Sequence, residues 1–267
     1  MPFATIADGQ LYYETCGEGP PLLLVAGLGG LGSFWQPHIK RLAARFTVIT
    51  YDHRGSGRSR RSPPPYTIEG MTDDALALLD HLGCAHVRFI GHSTGGAIGQ
   101  QLASRHPARI TRLVLSSTWT HCDAYFRRLF TLRRDLLLHS DSDLYARLAT
   151  LLLYPPYWIV ENDESMADEG LQLDAADRAI LVSKIEALLQ FDGRDRLPAI
   201  RCPTLVVTAE DDVTIPSYFS RGLAAAIVGS RLFIPASGGH YHPLTRAQAF
   251  ASVVEPFLDG DEPPLAR

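Results

Sequence analysis

The chain has 267 residues, 46% of them hydrophobic and 20% charged, with a formal net charge of −4. That length is enough to bury a large core in one α/β domain with an inserted subdomain. A slightly acidic balance provides no broad basic field for a phosphate backbone, which argues against nucleic acid as a partner.

Residues 3–7 and 10–15 alternate in polarity around Asp8-Gly9, so two antiparallel strands are expected to open the sheet. PPLLLVAGLGG (20–30), FTVITYD (46–52), VRFIG (87–91) and ITRLVLSS (110–117) are apolar runs of the kind buried on both faces of a parallel sheet. Between them, FWQPHIKRLAAR (34–45), YTIEGMTDDALALLDHLG (66–83) and AIGQQLASRHP (97–107) have helical period. This alternation predicts an α/β fold with a mostly parallel, doubly wound sheet and flanking helices. From 120 to 190 no convincing strand appears, and HCDAYFRRLFTLRRDLLLH, DLYARLATLLLY, PPYWIVENDE and DAADRAILVSKIEALLQF read as helical. Strands resume with TLVVTAEDD (204–212) and SRLFIPASGGH (230–240), and TRAQAFASVVEPFL (245–258) is a closing helix before a frayed tail over 259–267. The predicted organisation is a core of residues 1–119 and 191–267 interrupted by a helical lid over 120–190.

Cys16, Cys84, Cys122 and Cys202 are scattered and form no C-x-x-C pair, which suits free thiols in a reducing compartment. The N-terminus lacks a basic stretch followed by a long apolar one, and no run of about 18 apolar residues exists anywhere. A cytoplasmic protein without a membrane partner is therefore expected, and a homodimer is compatible with the sequence.

Gly91-His92-Ser93-Thr94-Gly95 carries the strongest chemical signal. A serine between glycines, after a strand and before a helix, is held exposed at the apex of a sharp turn. The helix N-terminus there favours negative charge on a reacting oxygen, and the N–H of Thr94 is a natural oxyanion donor. A serine hydroxyl needs a base and the base needs an orienting carboxylate. His240 suits the base, because a Ser-Gly-Gly turn lets its loop aim the imidazole; His242 is the competitor. For the acid, Glu210, Asp211 and Asp212 end the strand TLVVT, and Asp123 follows ITRLVLSS.

Several motifs resemble those of the α/β-hydrolase family. AEDDVTIP resembles the family's G-x-x-D-x-x-x-P signature, with Ala209 in the glycine slot, Asp212 in the acid slot and Pro216 closing it. Ala26-Gly27-Leu28-Gly29-Gly30 resembles the His-Gly loop of the oxyanion hole with Ala26 in place of the histidine, which implies Leu28 N–H as the second donor. YDHRGSGRS (51–59) resembles the D-x-R-G-x-G-x-S loop and is expected to be structural, with Asp52 and Arg54 locking a strand end. The matches span 26–240, and the chain resembles 3-oxoadipate enol-lactonases and the aminoacrylate hydrolase of pyrimidine catabolism. LLLYPPYW (151–158) resembles the latter group in particular.

The resemblance implies a small-molecule serine hydrolase acting on an ester, lactone or amide-like bond through an acyl-enzyme, with Ser93, His240 and Asp212 as triad. Carbon–carbon hydrolysis, perhydrolysis and aminoacrylate-type C–N hydrolysis share the scaffold, as does a non-enzymatic receptor. A dehalogenase or epoxide hydrolase of this fold would normally carry aspartate at position 93. No cofactor or metal is expected, since no ligand cluster with metal spacing appears. Trp35, Trp119, Tyr154, Trp158 and His242 are expected on the substrate pocket wall, with Tyr157, His121 and Tyr241 as further candidates. One of Arg127, Arg128, Arg133 and Arg134 could bind a substrate carboxylate, but a solvated helix face is the favoured reading and none of them is taken as a site.

Overall fold

The computed structural model describes residues 2–7, 9–166 and 173–260. The strands are β1 (Phe3–Ile6), β2 (Gly9–Cys16), β3 (Pro21–Val25), β4 (Thr47–Tyr51), β5 (Val87–His92), β6 (Ile110–Ser116), β7 (Thr204–Val207) and β8 (Arg231–Phe233). They form one sheet in the order β1-β2-β4-β3-β5-β6-β7-β8. β1 pairs antiparallel with β2, and β2 with β4; every other pairing is parallel. Ile6 faces Gly9 across the first pair, while Asp8, at the expected turn, lies outside the described residues. So do 261–267, most of the tail read as frayed.

The parallel strands are apolar throughout because both faces are covered. On β3, Leu23 and Val25 join one core while Leu22 and Leu24 join the other, as the period of two requires. Helices α2 (Ile68–His81) and α3 (Thr94–Arg105) cover the first face with Met71, Leu78, Ile98 and Leu102. Helix α1 (Gln36–Leu42) and the closing helix (Ala247–Asp259) cover the second with Leu42, Phe250, Val254 and Phe257. β8 is shorter than the apolar run 230–240 suggests. Pro235 has no N–H to give, and Gly238 and Gly239 take φ of +148° and +64°, turning the chain away from the sheet.

Between β6 and β7 lie α4 (Ala124–His139), α5 (Ser142–Leu153), α6 (Pro156–Asn162) and α7 (Ala175–Gln190). Asp123, Asp141 and Asp174 each start one of these helices by accepting the N–H three residues on, from Phe126, Leu144 and Asp177. Asp123, an alternative acid in the sequence, is thus a helix cap that also accepts from the Tyr218 hydroxyl at 2.5 Å. Part of the segment before α7, residues 167–172, lies outside the described residues. Among the described residues, no helix is long and apolar enough to cross a membrane.

The second core centres on Trp35, which has no exposure and contacts the rings of Phe34, His38 and Phe250. Trp35→Ala is expected to cost about 3–5 kcal/mol through lost burial and the cavity left behind. Urea denaturation of the two proteins checks this.

Candidate active site

β5 ends at His92 and α3 begins at Thr94, so Ser93 alone makes the turn from strand to helix. Its backbone sits at φ +54°, ψ −115°, a conformation that a side-chain-bearing residue adopts only when its surroundings enforce it. Two hydrogen bonds help to do so. Ser93 N–H donates to Ser116 O at 2.8 Å, and Thr118 Oγ1 donates to Ser93 O at 2.8 Å. The flanking glycines are required by close approach. A Cβ at Gly91 would collide with the carbonyl of Gly95, and a Cβ at Gly95 with the carbonyl of Val25 at the end of β3.

Asp212 lies past β7 and His240 past β8, and their side chains meet beneath the surface. His240 Nδ1 stands 2.9 Å from Asp212 Oδ2, with the two side chains 2% and 0% exposed. The other carboxylate oxygen, Oδ1, accepts the N–H groups of Thr214 at 2.9 Å and Ile215 at 2.8 Å. With a carboxylate as acceptor, Nδ1 carries the hydrogen and Nε2 is left as the basic nitrogen. Asp211 points elsewhere: its Oδ1 accepts Gly239 N–H at 2.8 Å.

Ser93 and His240 both line a cavity of about 450 Å³. Leu28 lines the same cavity, in a loop tightened by Gly30 N–H donating to Gly27 O at 2.9 Å and His53 N–H to Gly30 O at 2.7 Å. Thr94, buried, is the first residue of α3, where the backbone N–H has no partner within the helix. The 51–59 loop is braced by Asp52, whose oxygens accept Gly32 N–H and Arg58 N–H, each at 2.9 Å, while Arg54 pairs with Asp74 at 3.0 Å. Two glycines and Ser56 from this loop also reach the cavity wall.

The inserted helices supply the opposite wall, including Phe130, Arg133, Tyr145, Leu153 and Lys184. Arg133 is 5% exposed and donates to the Tyr145 hydroxyl at 2.8 Å, while its Nε has no partner. Lys184 is 2% exposed and donates to Ser56 Oγ at 2.6 Å. Burial, helped by the Arg54 charge, pushes its amine down to about 7. Among the described residues, neither cation forms an ion pair with a carboxylate. Arg61, on the same wall, is neutralised by Asp174 at 2.7 Å and Asp177 at 2.9 Å.

The five residues expected on the pocket wall lie elsewhere. Trp35 and Trp119 have no exposure and are core: Trp119 packs on Phe126 and Phe191. Tyr154 stacks on Trp158 and meets the edge of Tyr241, which does line the cavity, so both stand behind that ring. His242 is 1% exposed, its Nε2 3.1 Å from Ser116 Oγ, and burial pushes its imidazole down to about 3. Apolar packing claims the large aromatics here; of the further candidates Tyr241 does reach the wall, as does Arg133, while Phe130, Tyr145 and Lys184 were not expected there. Periodicity marked two wall residues: Arg133 shares a helix face with buried Phe126, Phe130 and Leu137, and Lys184 with Ile180 and Leu188. Among the described residues, no group of three or more His, Cys, Asp or Glu side chains is placed to hold a metal ion.

Comparison with known proteins agrees with this architecture. The family model described as alpha/beta hydrolase fold matches residues 20–247. A relative from Azorhizobium caulinodans that bears the name carbamate hydrolase RutD is 43% identical over 90% of this chain and 91% of its own. One of the same name from Caulobacter sp. strain K31 is 38% identical over 95% and 97%. The crystal structure of the enol-lactonase from Burkholderia xenovorans LB400 superposes with a TM-score of 0.89 at 30% identity, covering 97% of this chain and all of that one. With the match running through the elbow, the acid loop and nearly the whole sheet, the chain belongs to the α/β-hydrolase family.

Proposed function

We propose that the protein is a serine hydrolase that opens a small acidic carbonyl compound through an acyl-enzyme. The observation that carries this reading is the buried Asp212–His240 pair, whose imidazole borders the same cavity as Ser93. His240 Nε2 takes the Ser93 proton as Oγ attacks the carbonyl carbon, and the tetrahedral oxyanion is held by the N–H groups of Leu28 and Thr94. Collapse expels the leaving group, which receives the proton from His240. Water then repeats the attack and frees Ser93. Asp212, fixed by two backbone N–H groups, holds the imidazole and stabilises its charged form.

Arg133 and Lys184 support an anionic substrate. Two buried cations without carboxylate partners gain most from a ligand that supplies the missing charge. The relatives' names, carbamate hydrolase and enol-lactonase, suggest nitrogen or oxygen as the leaving atom on the acyl carbon.

Mixed with p-nitrophenyl acetate, the wild type is expected to release a stoichiometric burst of nitrophenol, followed by turnover. Ser93→Ala should release none, and Asp212→Asn should lose on the order of 10⁴-fold in kcat. Equal activity in Ser93→Ala and the wild type overturns the reading.

The lysine gives a pH signature. Its amine is protonated below about 7 and neutral above, so it attracts an anion only on the acid side. For mono-p-nitrophenyl succinate, which carries a free carboxylate, KM should rise several-fold between about pH 6 and about pH 8. The neutral acetate ester should show no such rise, and Lys184→Met should abolish it for the succinate. A rise that persists in Lys184→Met assigns the effect to another group.

A further inference from the structure

Residues 239–241 are held at three consecutive positions by three different partners. Gly239 N–H donates to Asp211 Oδ1 at 2.8 Å, His240 Nδ1 meets Asp212 Oδ2 at 2.9 Å, and Tyr241 N–H donates to Leu153 O at 2.9 Å. Two of these anchors are adjacent carboxylates of the loop after β7; the third is a backbone carbonyl at the end of α5, in the inserted helices. The acid loop is tied to the same place, since Thr214 Oγ1 donates to Leu152 O at 2.7 Å while Thr214 N–H donates to Asp212. The fit is close. A Cβ at Gly239 would stand 2.8 Å from Pro155 Cδ.

We infer that Asp211 is a positioning residue for the hydrolysis: it fixes the backbone that carries His240, with the Leu153 carbonyl as the opposing anchor. This rests on the reading of Ser93, His240 and Asp212 as a triad. One bond from Asp212 sets the distance to Nδ1 but leaves the ring free to swing with its loop. The loop begins with two glycines whose backbones have wide freedom. A base displaced by about 1 Å from its nucleophile can lose about 10²-fold in rate, so a backbone anchor next to the imidazole bears directly on turnover. Adjacent carboxylates therefore divide the task. Asp212 orients the ring, and Asp211 holds the main chain beneath it.

The role needs an acceptor oxygen and no charge, which separates it from the role of Asp212. Asparagine at 211 keeps Oδ1; alanine removes it; serine is too short to span the gap while staying polar, and serves if the alanine variant does not fold. With p-nitrophenyl acetate, Asp211→Ala or Asp211→Ser is expected to lose about tenfold or more in kcat with KM within about twofold of wild type. Asp211→Asn should keep kcat within about twofold. Full kcat in a folded alanine or serine variant overturns the inference, as does an asparagine variant as impaired as alanine. His240→Ala is measured in parallel. If it is inactive while Asp211→Ala is not, only the role of Asp211 falls; if it retains wild-type activity, the triad reading itself falls.

Discussion

The closeness of α3 to the edge of β3 is the constraint on which the site depends. The carbonyl of Val25 lies where a Cβ on residue 95 would go, so helix and strand meet backbone to backbone. That approach forces the sharp turn after β5 and puts Ser93 at positive φ, with Ser116 and Thr118 holding it there. Because β3, β5 and β6 are neighbours, the 26–30 loop, the elbow and the Ser116–Thr118 turn all emerge at the carboxyl ends of adjacent parallel strands. The crevice at those ends is where open α/β sheets bind ligands.

Charge is distributed to match. On the sheet side of the cavity a carboxylate is buried with every bond satisfied: Asp212 accepts two main-chain N–H groups and the imidazole. On the helical side two cations are buried with neutral partners, a tyrosine hydroxyl and a serine hydroxyl. Holding an uncompensated cation out of water costs several kcal/mol, and the same burial pushes the amine of Lys184 down. Stability does not require charge at these two positions, whereas the anionic substrate proposed above would give both cations a partner.

How much of this could be read from the chain depended on which force dominates at each position. The strands along the chain and the helical stretches between β6 and β7 are legible in long apolar runs and their period, which report burial by the sheet as a whole. The glycine spacing at 91–96 reported a steric contact that only glycine tolerates, so Ser93 was legible from local pattern. Asp212 is legible through spacing in a known family and His240 through the Ser-Gly-Gly turn before it, but their meeting lies in geometry that no local pattern encodes. The wall residues were misread because large aromatics suggested a pocket. Trp35 and Trp119 gain more from full burial than from half-exposure at a cavity. Lys184 does not stand out in the sequence, and Arg133 is only one of four arginines there, because a charged side chain on a helix usually belongs to the solvent face. Their register with Ile180, Phe130 and Leu188 was the better guide.

The inserted helices do more than cover the serine. They touch three loops of the core: the 51–59 loop through Lys184 on Ser56, the loop of Asp212 through Leu152 on Thr214, and the loop of His240 through Leu153 on Tyr241. Tyr125 adds a hydrogen bond to the carbonyl of Val213. The packing of these helices therefore bears on the cavity wall and on both loops together, because Leu153 lines the cavity while its carbonyl accepts from Tyr241 and that of its neighbour Leu152 accepts from Thr214. α4 packs against both α7 and α5, so an anionic substrate of the kind proposed, held by Arg133 on α4 and Lys184 on α7, would sit on a helix pair in contact with the helix that ends at Leu153.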